Sequence, residues 1–325
     1  MQFLRQSSSG LIGLWCCAVV ALAGCEQPSG PAAGENASDR TRSKWLVIVT
    51  SQPLFEMASA IGGGRFEIQK ITSADVSSRN WTPGKAEVQR LQKADLILIS
   101  GAGYEPWKDR VSLPNSRVVD TASSYYSEFI RIPDSVTHQH GPEGRHAHPG
   151  TVWATWLDPN LAAAQLSRVA EAMTKLSPDD RQIVESAAGR MRSQLDALNS
   201  GISQLAEMTA DRKPLIIADG PACLYLIRRL GWTLQYVHWD QDQDLTSDEK
   251  DELTTLINSL PAVKDGYFLL GSEQSTEAES FVKGLGLQVV RIDLCESPRP
   301  DAAFPARLKG NLDRLQSALR HEVRN

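Results

Sequence analysis

The chain has 325 residues, of which 41% are hydrophobic and 22% are charged, and this composition is ordinary for a globular protein. Its length is sufficient for two α/β domains. The formal net charge of −5 gives no basic surface, which argues against nucleic acid as a partner.

The first 25 residues are predicted to be an export signal that is not part of the fold. Arg5 supplies a positive charge before residues 11–23, an apolar run that is too short to span a bilayer as a helix. The sequence Leu-Ala-Gly-Cys that ends at Cys25 resembles a bacterial lipobox, in which the cysteine is lipidated. Residues 26–43 are then predicted to be a flexible tether. We therefore expect an exported protein, lipid-anchored to the periplasmic or cell-surface face of a bacterial membrane.

Residues 44–176 are predicted to form the first of two α/β lobes. Continuous apolar runs begin at Trp45 and after Asp95, and such runs are typical of strands buried on both faces of a parallel sheet. Helix-like segments alternate with them, which predicts a doubly wound sheet whose ligands bind beyond the carboxyl ends of the strands. The turn Gly101-Ala-Gly103 lacks the third glycine of a dinucleotide site, so we do not expect one there.

Four of the six histidines lie within residues 138–148, called the His segment below. They are His138, His140, His146 and His148. Neutral imidazoles at this density can capture borderline metals such as zinc and copper. The composition predicts a metal-binding loop, and a solvated loop without a ligand is the alternative.

Residues 177–208 are predicted to form one long helix that links the two lobes. Ser177 and Pro178 suit its first turn. Apolar residues then recur at alternating spacings of three and four, as expected for a helix with one buried face. They are Val184, Ala188, Met191, Leu195, Leu198, Ile202 and Leu205. The helix would be roughly 45 Å long at about 1.5 Å per residue. A coiled-coil arm is the alternative.

Residues 209–325 repeat the alternation of strands and helices and are predicted to form the second lobe. Predicted strands end at Asp219 and Asp293, where a doubly wound sheet would place a ligand. Cys223 and Cys295 are the two cysteines beyond Cys25. A disulfide, two free buried thiols and metal ligation all remain open for them.

Several separated motifs resemble those of the solute-binding lipoproteins of zinc and manganese ABC transporters, over nearly the whole mature chain. They are Pro53-Leu54 with Ile61-Gly62-Gly63, Lys93-Ala-Asp-Leu96, Gly101-Ala-Gly-Tyr-Glu-Pro-Trp107 and Trp156-Leu-Asp-Pro-Asn160. The His segment precedes the last motif, as in zinc-type members. The resemblance implies two doubly wound parallel-sheet lobes joined by one long backbone helix. It also implies a monomer that delivers its metal to an ABC permease.

The metal ligands that the resemblance implies are mostly replaced. Arg79 and Ala154 stand where the family has histidine, and Gly220 stands where it has histidine or glutamate; only the aspartate is kept, as Asp293. An arginine cannot ligate a cation and places a permanent positive charge at its position. Tetrahedral zinc needs three or four N, S or O donors. The metal site of the family is therefore expected to be degenerate.

Three replacements could rebuild a site around Asp293: a histidine of the His segment, Cys295 or Asp219. If none does, Arg79 is expected to pair with Asp293 or Asp219. In that case the site either closes on this ion pair or binds something other than a metal.

The leading hypothesis is a solute-binding protein that captures a divalent metal, zinc or alternatively manganese, for an ABC permease. A scaffold or adhesion-like lipoprotein that kept the fold and lost the metal site is the alternative. We do not expect an enzyme. Asp219 and Asp293 could form an acid–base pair, but the sequence contains no nucleophile elbow and no phosphate loop.

Overall fold

The computed structural model describes residues 44–73, 79, 81–132, 137–139, 145–147, 150–239, 244–260, 266–271 and 274–322. The predicted export signal, Cys25 and the tether lie outside these ranges. Among the described residues, no helix is both long enough and apolar enough to cross a membrane.

The N-terminal half is built on a four-stranded parallel sheet with the order β2-β1-β3-β4. Its strands are β1 (Trp45–Val49), β2 (Phe66–Lys70), β3 (Leu96–Ile99) and β4 (Val118–Asp120). Its helices are α1 (Gln52–Gly62), α2 (Lys85–Lys93) and α3 (Pro159–Leu176). Apart from Trp45, the residues of β1 and β3 are buried, because helices cover both faces of the sheet.

Local sequence explains where these helices begin and end. The Ser51 hydroxyl caps α1 by accepting from the Leu54 amide, and Gly63 caps the end of the helix with a left-handed φ of 55° that suits glycine. Asp158 caps α3 by accepting from the Asn160 amide at 2.9 Å, with Pro159 in the first turn.

Between β4 and α3 the chain forms two short antiparallel pairs, β5 with β8 and β6 with β7. Their bounds are β5 (Arg131–Ile132), β6 (Thr137–Gln139), β7 (Arg145–Ala147) and β8 (Gly150–Thr151). The β6–β7 pair overlaps the predicted His segment and sets the backbone of His138 opposite that of His146.

The long helix is α4 (Arg181–Met208). It begins later than predicted, because Ser177 ends α3 and Pro178–Asp180 form a separate 3-10 turn. The Ser177 hydroxyl donates to Asp180 at 2.8 Å and fixes this turn. Ala187 is buried in place of the predicted Ala188, and the six other predicted stripe positions are buried. This face packs on α1, on α3 and on the last helix of the chain, so α4 is not a separate coiled-coil arm.

The C-terminal half repeats the first topology, with a parallel sheet in the order β10-β9-β11-β12. Its strands are β9 (Ile216–Ala218), β10 (Leu234–Tyr236), β11 (Tyr267–Gly271) and β12 (Gln288–Ile292). Its helices are α5 (Leu224–Arg229), α6 (Ser247–Ser259), α7 (Thr276–Gly284) and α8 (Phe304–Glu322). The predicted fold class is therefore confirmed: two doubly wound parallel sheets and one long helix.

One hydrophobic core extends through both halves. It includes Val47 of β1, Leu195 of α4 and Leu269 of β11, all of which are completely buried. Trp156 and Leu294 belong to the same cluster. The two lobes are therefore joined by shared apolar packing, and the polar groups described next lie against that packing.

Candidate functional site between the two lobes

Asp293 directly follows β12, at the carboxyl edge of the C-terminal sheet, where a doubly wound fold places its ligands. The N-terminal lobe contacts the chain at the next residue. The indole Nε1 of Trp156, a completely buried residue, donates to the Leu294 carbonyl oxygen at 2.8 Å. Glu56 of α1 and Arg307 of α8 complete what we call the interlobe site: Glu56, Trp156, Asp293, Leu294 and Arg307.

Both carboxylate oxygens of Asp293 are bound by Arg307. The guanidinium donates from Nε to Oδ2 at 2.9 Å and from Nη2 to Oδ1 at 2.7 Å. The amide of Cys295 also donates to Oδ1, at 2.8 Å. Burial opposes ionisation of Asp293, but the hydrogen bonds and charge of Arg307 outweigh it and hold the pKa of this carboxyl below its usual range. Asp293 is thus a charged and fully partnered carboxylate.

The third donor group of Arg307 reaches the other lobe. Nη1 lies 2.7 Å from Oε1 of Glu56, and the Arg307 side chain is 1% exposed. Burial raises the pKa of Glu56, and the hydrogen bond from Gln52 and the charge of Arg307 offset only part of that rise. One guanidinium therefore joins a carboxylate of each lobe.

Arg79, which was expected to pair with Asp293 or Asp219, lies on an aromatic ring. Its guanidinium carbon is 3.2 Å from the centre of the Trp153 ring, a cation–π contact. The arginine that binds Asp293 is instead Arg307. Asp293 does form an ion pair with an arginine, as predicted, but that arginine belongs to the last helix, α8.

Asp219 faces its own sheet. It is 4% exposed, and its Oδ2 accepts from the Gly271 amide at 2.7 Å, at the end of the neighbouring strand β11. Burial raises the pKa of Asp219 to about 6, and the backbone hydrogen bonds offset part of this rise. The other two replaced positions, Ala154 and Gly220, are buried and bring no donor side chain.

Cys223 and Cys295 are both free and buried, so they do not form a disulfide. Burial raises the pKa of both thiols, which keeps them protonated at neutral pH. Within the described part of the chain, no three His, Cys, Asp or Glu side chains are close enough to hold a metal ion together. The described residues of the interlobe site, as arranged here, do not fit tetrahedral zinc.

The His segment lies only partly in the described chain. His138 and His146 occupy opposite positions of the β6–β7 ladder, and His140 and His148 lie outside the described residues. The metal-binding role of these four histidines remains a prediction.

Sequence reasoning missed Glu56 and Arg307. A signal was present in α8, where Arg307 and Asn311 are four residues apart and lie between the apolar positions of an amphipathic helix. Both are almost completely buried. Polar residues at buried helix positions indicate partners elsewhere in the fold, although the sequence does not identify those partners.

The model of the family described as "Zinc-uptake complex component A periplasmic" matches residues 47–318 of the chain. The iron ABC transporter substrate-binding lipoprotein MtsA of Streptococcus pyogenes is 18% identical over 292 residues, 85% of this chain and 89% of that protein. The high-affinity zinc uptake system protein ZnuA of Bacillus subtilis is 21% identical over 232 residues, 69% of this chain and 68% of that protein.

Solved structures share the fold. AdcAII of Streptococcus pneumoniae has a TM-score of 0.67 at 16% identity and covers 86% of this chain and 100% of its own. The solute-binding protein FpvC of Pseudomonas aeruginosa, solved in complex with Mn2+, has a TM-score of 0.67 at 16% identity, covering 86% of this chain and 99% of its own. The family match spans both sheets and the long helix between them. This chain therefore belongs to the zinc-uptake complex component A family of ABC transporter substrate-binding proteins.

Proposed function

We propose that this protein is the solute-binding component of an ABC transporter for a divalent metal, with zinc as the expected cargo and manganese as the alternative. The observation that carries the proposal is the family match over residues 47–318, which includes both lobes and α4. Relatives named for iron and for zinc fall within the same class of small transition-metal cations. We therefore propose capture and delivery of the ion, with no catalytic step.

The His segment is the proposed point of metal capture. Imidazole nitrogen is a preferred ligand of zinc, and the β6–β7 ladder holds the backbones of His138 and His146 opposite each other. His140 and His148 are proposed to complete the donor set. Asp293 and Asp219 are proposed cleft ligands only if Arg307 and the Gly271 amide release them, since both carboxylates are otherwise engaged.

The proposed cellular setting rests on the pattern of the N-terminal residues. A lipid on Cys25 and a tether formed by residues 26–43 would hold a monomer at the periplasmic or cell-surface face of a bacterial membrane. From there it would deliver its metal to an ABC permease.

Equilibrium dialysis of the chain after Cys25 against equal concentrations of zinc, manganese and iron, followed by elemental analysis, tests this proposal. We expect about one zinc ion per chain at the affinity of a single imidazole-rich site. A matched variant with alanine at His138, His140, His146 and His148 should lose the ion. A wild-type chain that retains none of the three metals would contradict the proposal.

A scaffold or adhesion-like lipoprotein is the second candidate, and the Arg307–Asp293 pair favours it. A carboxylate bound on both oxygens by a permanent cation is a poor metal ligand. Co-purification distinguishes the two functions: a transport protein is recovered with an ABC permease in detergent extracts of its own cells, and a scaffold is not.

A further inference from the structure

Arg307 has an unusual position for a charged side chain. It lies in the first turns of α8 and is 3% exposed. A buried guanidinium is tolerated only when its donors are paired. Here each of its three nitrogens donates to a carboxylate oxygen, two on Asp293 and one on Glu56.

The contact between Arg307 and Asp293 is reinforced by a second residue of α8. Asn311 accepts from the Asp293 amide through Oδ1 and donates to the Asp293 carbonyl through Nδ2, both at 2.8 Å. Arg307 and Asn311 lie four residues apart, so they share one face of α8. The helix therefore fixes both the backbone and the carboxylate of Asp293 in the geometry that receives the guanidinium.

The contact between Arg307 and Glu56 joins the two lobes. Glu56 belongs to α1, which follows the first strand of the N-terminal sheet, and it is 251 residues from Arg307 in sequence. Gln52, one turn earlier on α1, donates to Glu56 at 3.2 Å and orients its carboxylate. A second cation is nearby on the C-terminal side, since Arg299 Nη1 lies 3.9 Å from Asp293 Oδ2 and the Arg299 side chain is 47% exposed.

We propose that the Arg307 guanidinium is the resident cation of the interlobe site: it binds one carboxylate from each lobe, so that the lobes close without a metal ion. Arg307 then fills, as part of the chain, the place between the lobes that a bound cation would otherwise occupy. An arginine remains charged at all physiological pH values, so this closure is permanent and does not depend on metal supply. The inference concerns the same cleft as the proposed function but rests on the Arg307 contacts alone, and it holds whether or not zinc binds at the His segment.

The test measures the distance between lobes by pulsed electron paramagnetic resonance in a chelator, on the chain after Cys25. Spin labels are attached at Lys93→Cys on α2 and Ser280→Cys on α7, both exposed positions. The native Cys223 and Cys295 are buried and shielded from the label. We expect the wild-type background to give one narrow distance distribution that added zinc leaves unchanged.

Glu56→Leu removes both the charge and the oxygen that accepts from Arg307 Nη1, and it leaves the Asp293–Arg307 pair in place. The protein should therefore fold with a longer or broader distance distribution. Arg307→Met should produce the same change, together with faster amide hydrogen exchange at residues 293–295. Lys309→Met is the matched control, because it removes a positive charge from the same helix in an exposed pair with Asp313. This control should keep the narrow distribution.

Two results would overturn the proposal. One is a wild-type chain that gives a broad distribution in chelator and contracts when zinc is added, since closure would then require the metal. The other is a Glu56→Leu protein with the wild-type distribution. The second result is obtained in chelator and does not depend on zinc, so failure of this proposal can be told apart from failure of metal capture.

Discussion

Trp156 donates its indole N–H to the carbonyl oxygen of Leu294 across the two lobes, at 2.8 Å. Leu294 directly follows Asp293, so this bond and the Arg307 contacts hold the same short segment. Both groups are buried, and an unpaired buried polar group lowers stability. The Trp156 indole therefore acts in parallel with the ion pair to fix the end of β12 against the N-terminal lobe.

Trp156→Phe should lower the free energy of unfolding by roughly 1–3 kcal/mol, because the Leu294 carbonyl loses its partner in the interior and some packing volume is lost. Urea denaturation monitored by circular dichroism measures the change. Trp153→Phe is the matched control, since the Trp153 Nε1 has no hydrogen-bond partner among the described residues. Equal losses in the two variants would contradict a specific role for the interlobe hydrogen bond.

The turn after β3 requires glycine at its first position. Gly101 has a φ of 75°, and a Cβ atom there would collide with Asp120 Oδ1. Gly101→Ala should therefore destabilise the fold by at least about 2 kcal/mol. Gly189→Ala is the opposite case, because Gly189 lies in α4 with nothing within 4 Å of an added Cβ. Thermal unfolding should show a gain of about 0.5–1 kcal/mol for that variant. A loss at Gly189 as large as at Gly101 would contradict the account.

Glu105 gives the fold a pH dependence. Its carboxylate is buried, and it accepts from the Thr50 hydroxyl and from the amides of Ser100 and Gly101. Burial raises the pKa of Glu105 to about 7, and these hydrogen bonds offset only part of the rise from 4.5. Because the folded-state pKa is the higher one, this group stabilises the fold below about pH 4.5 and loses that contribution as pH rises through about 7.

Glu105→Gln removes this titration. The difference between the unfolding free energies of wild type and variant should therefore change by up to about 3 kcal/mol between pH 5 and pH 8, with wild type losing stability relative to the variant as pH rises. Chemical denaturation across this pH range measures it. Parallel pH profiles for the two proteins would show that Glu105 does not titrate there.

The fold could be predicted largely from local patterns. Continuous apolar runs gave β1 and β3 because the strands of a doubly wound sheet are buried on both faces. The predicted apolar stripe of α4 matches the buried face of the helix at every position but one, where Ala187 is buried in place of Ala188. The start of α4 was predicted four residues early, because Ser177 and Pro178 suit a helix N-terminus whether the first turn is α-helical or 3-10.

The interlobe site could be predicted only in part. Asp293 was identified because it ends a strand, a position that sequence reveals. Its partner, Arg307, was not identified, because it lies on another element and pairing between distant elements leaves no local signal in the sequence. Arg79 was the expected partner on family position alone, and its stacking on Trp153 is a contact between residues far apart in sequence. Local propensity does not determine such tertiary contacts.

Isothermal titration calorimetry of zinc into the chain after Cys25 tests the central claim most directly. The wild-type chain and the variant with alanine at all four histidines of the His segment are compared, together with Asp293→Asn. We predict one-to-one binding by wild type, its loss in the histidine variant, and its retention in Asp293→Asn, because Arg307 and not a metal binds Asp293. Absence of zinc binding by wild type, or binding that survives loss of the histidines and disappears in Asp293→Asn, would contradict the account.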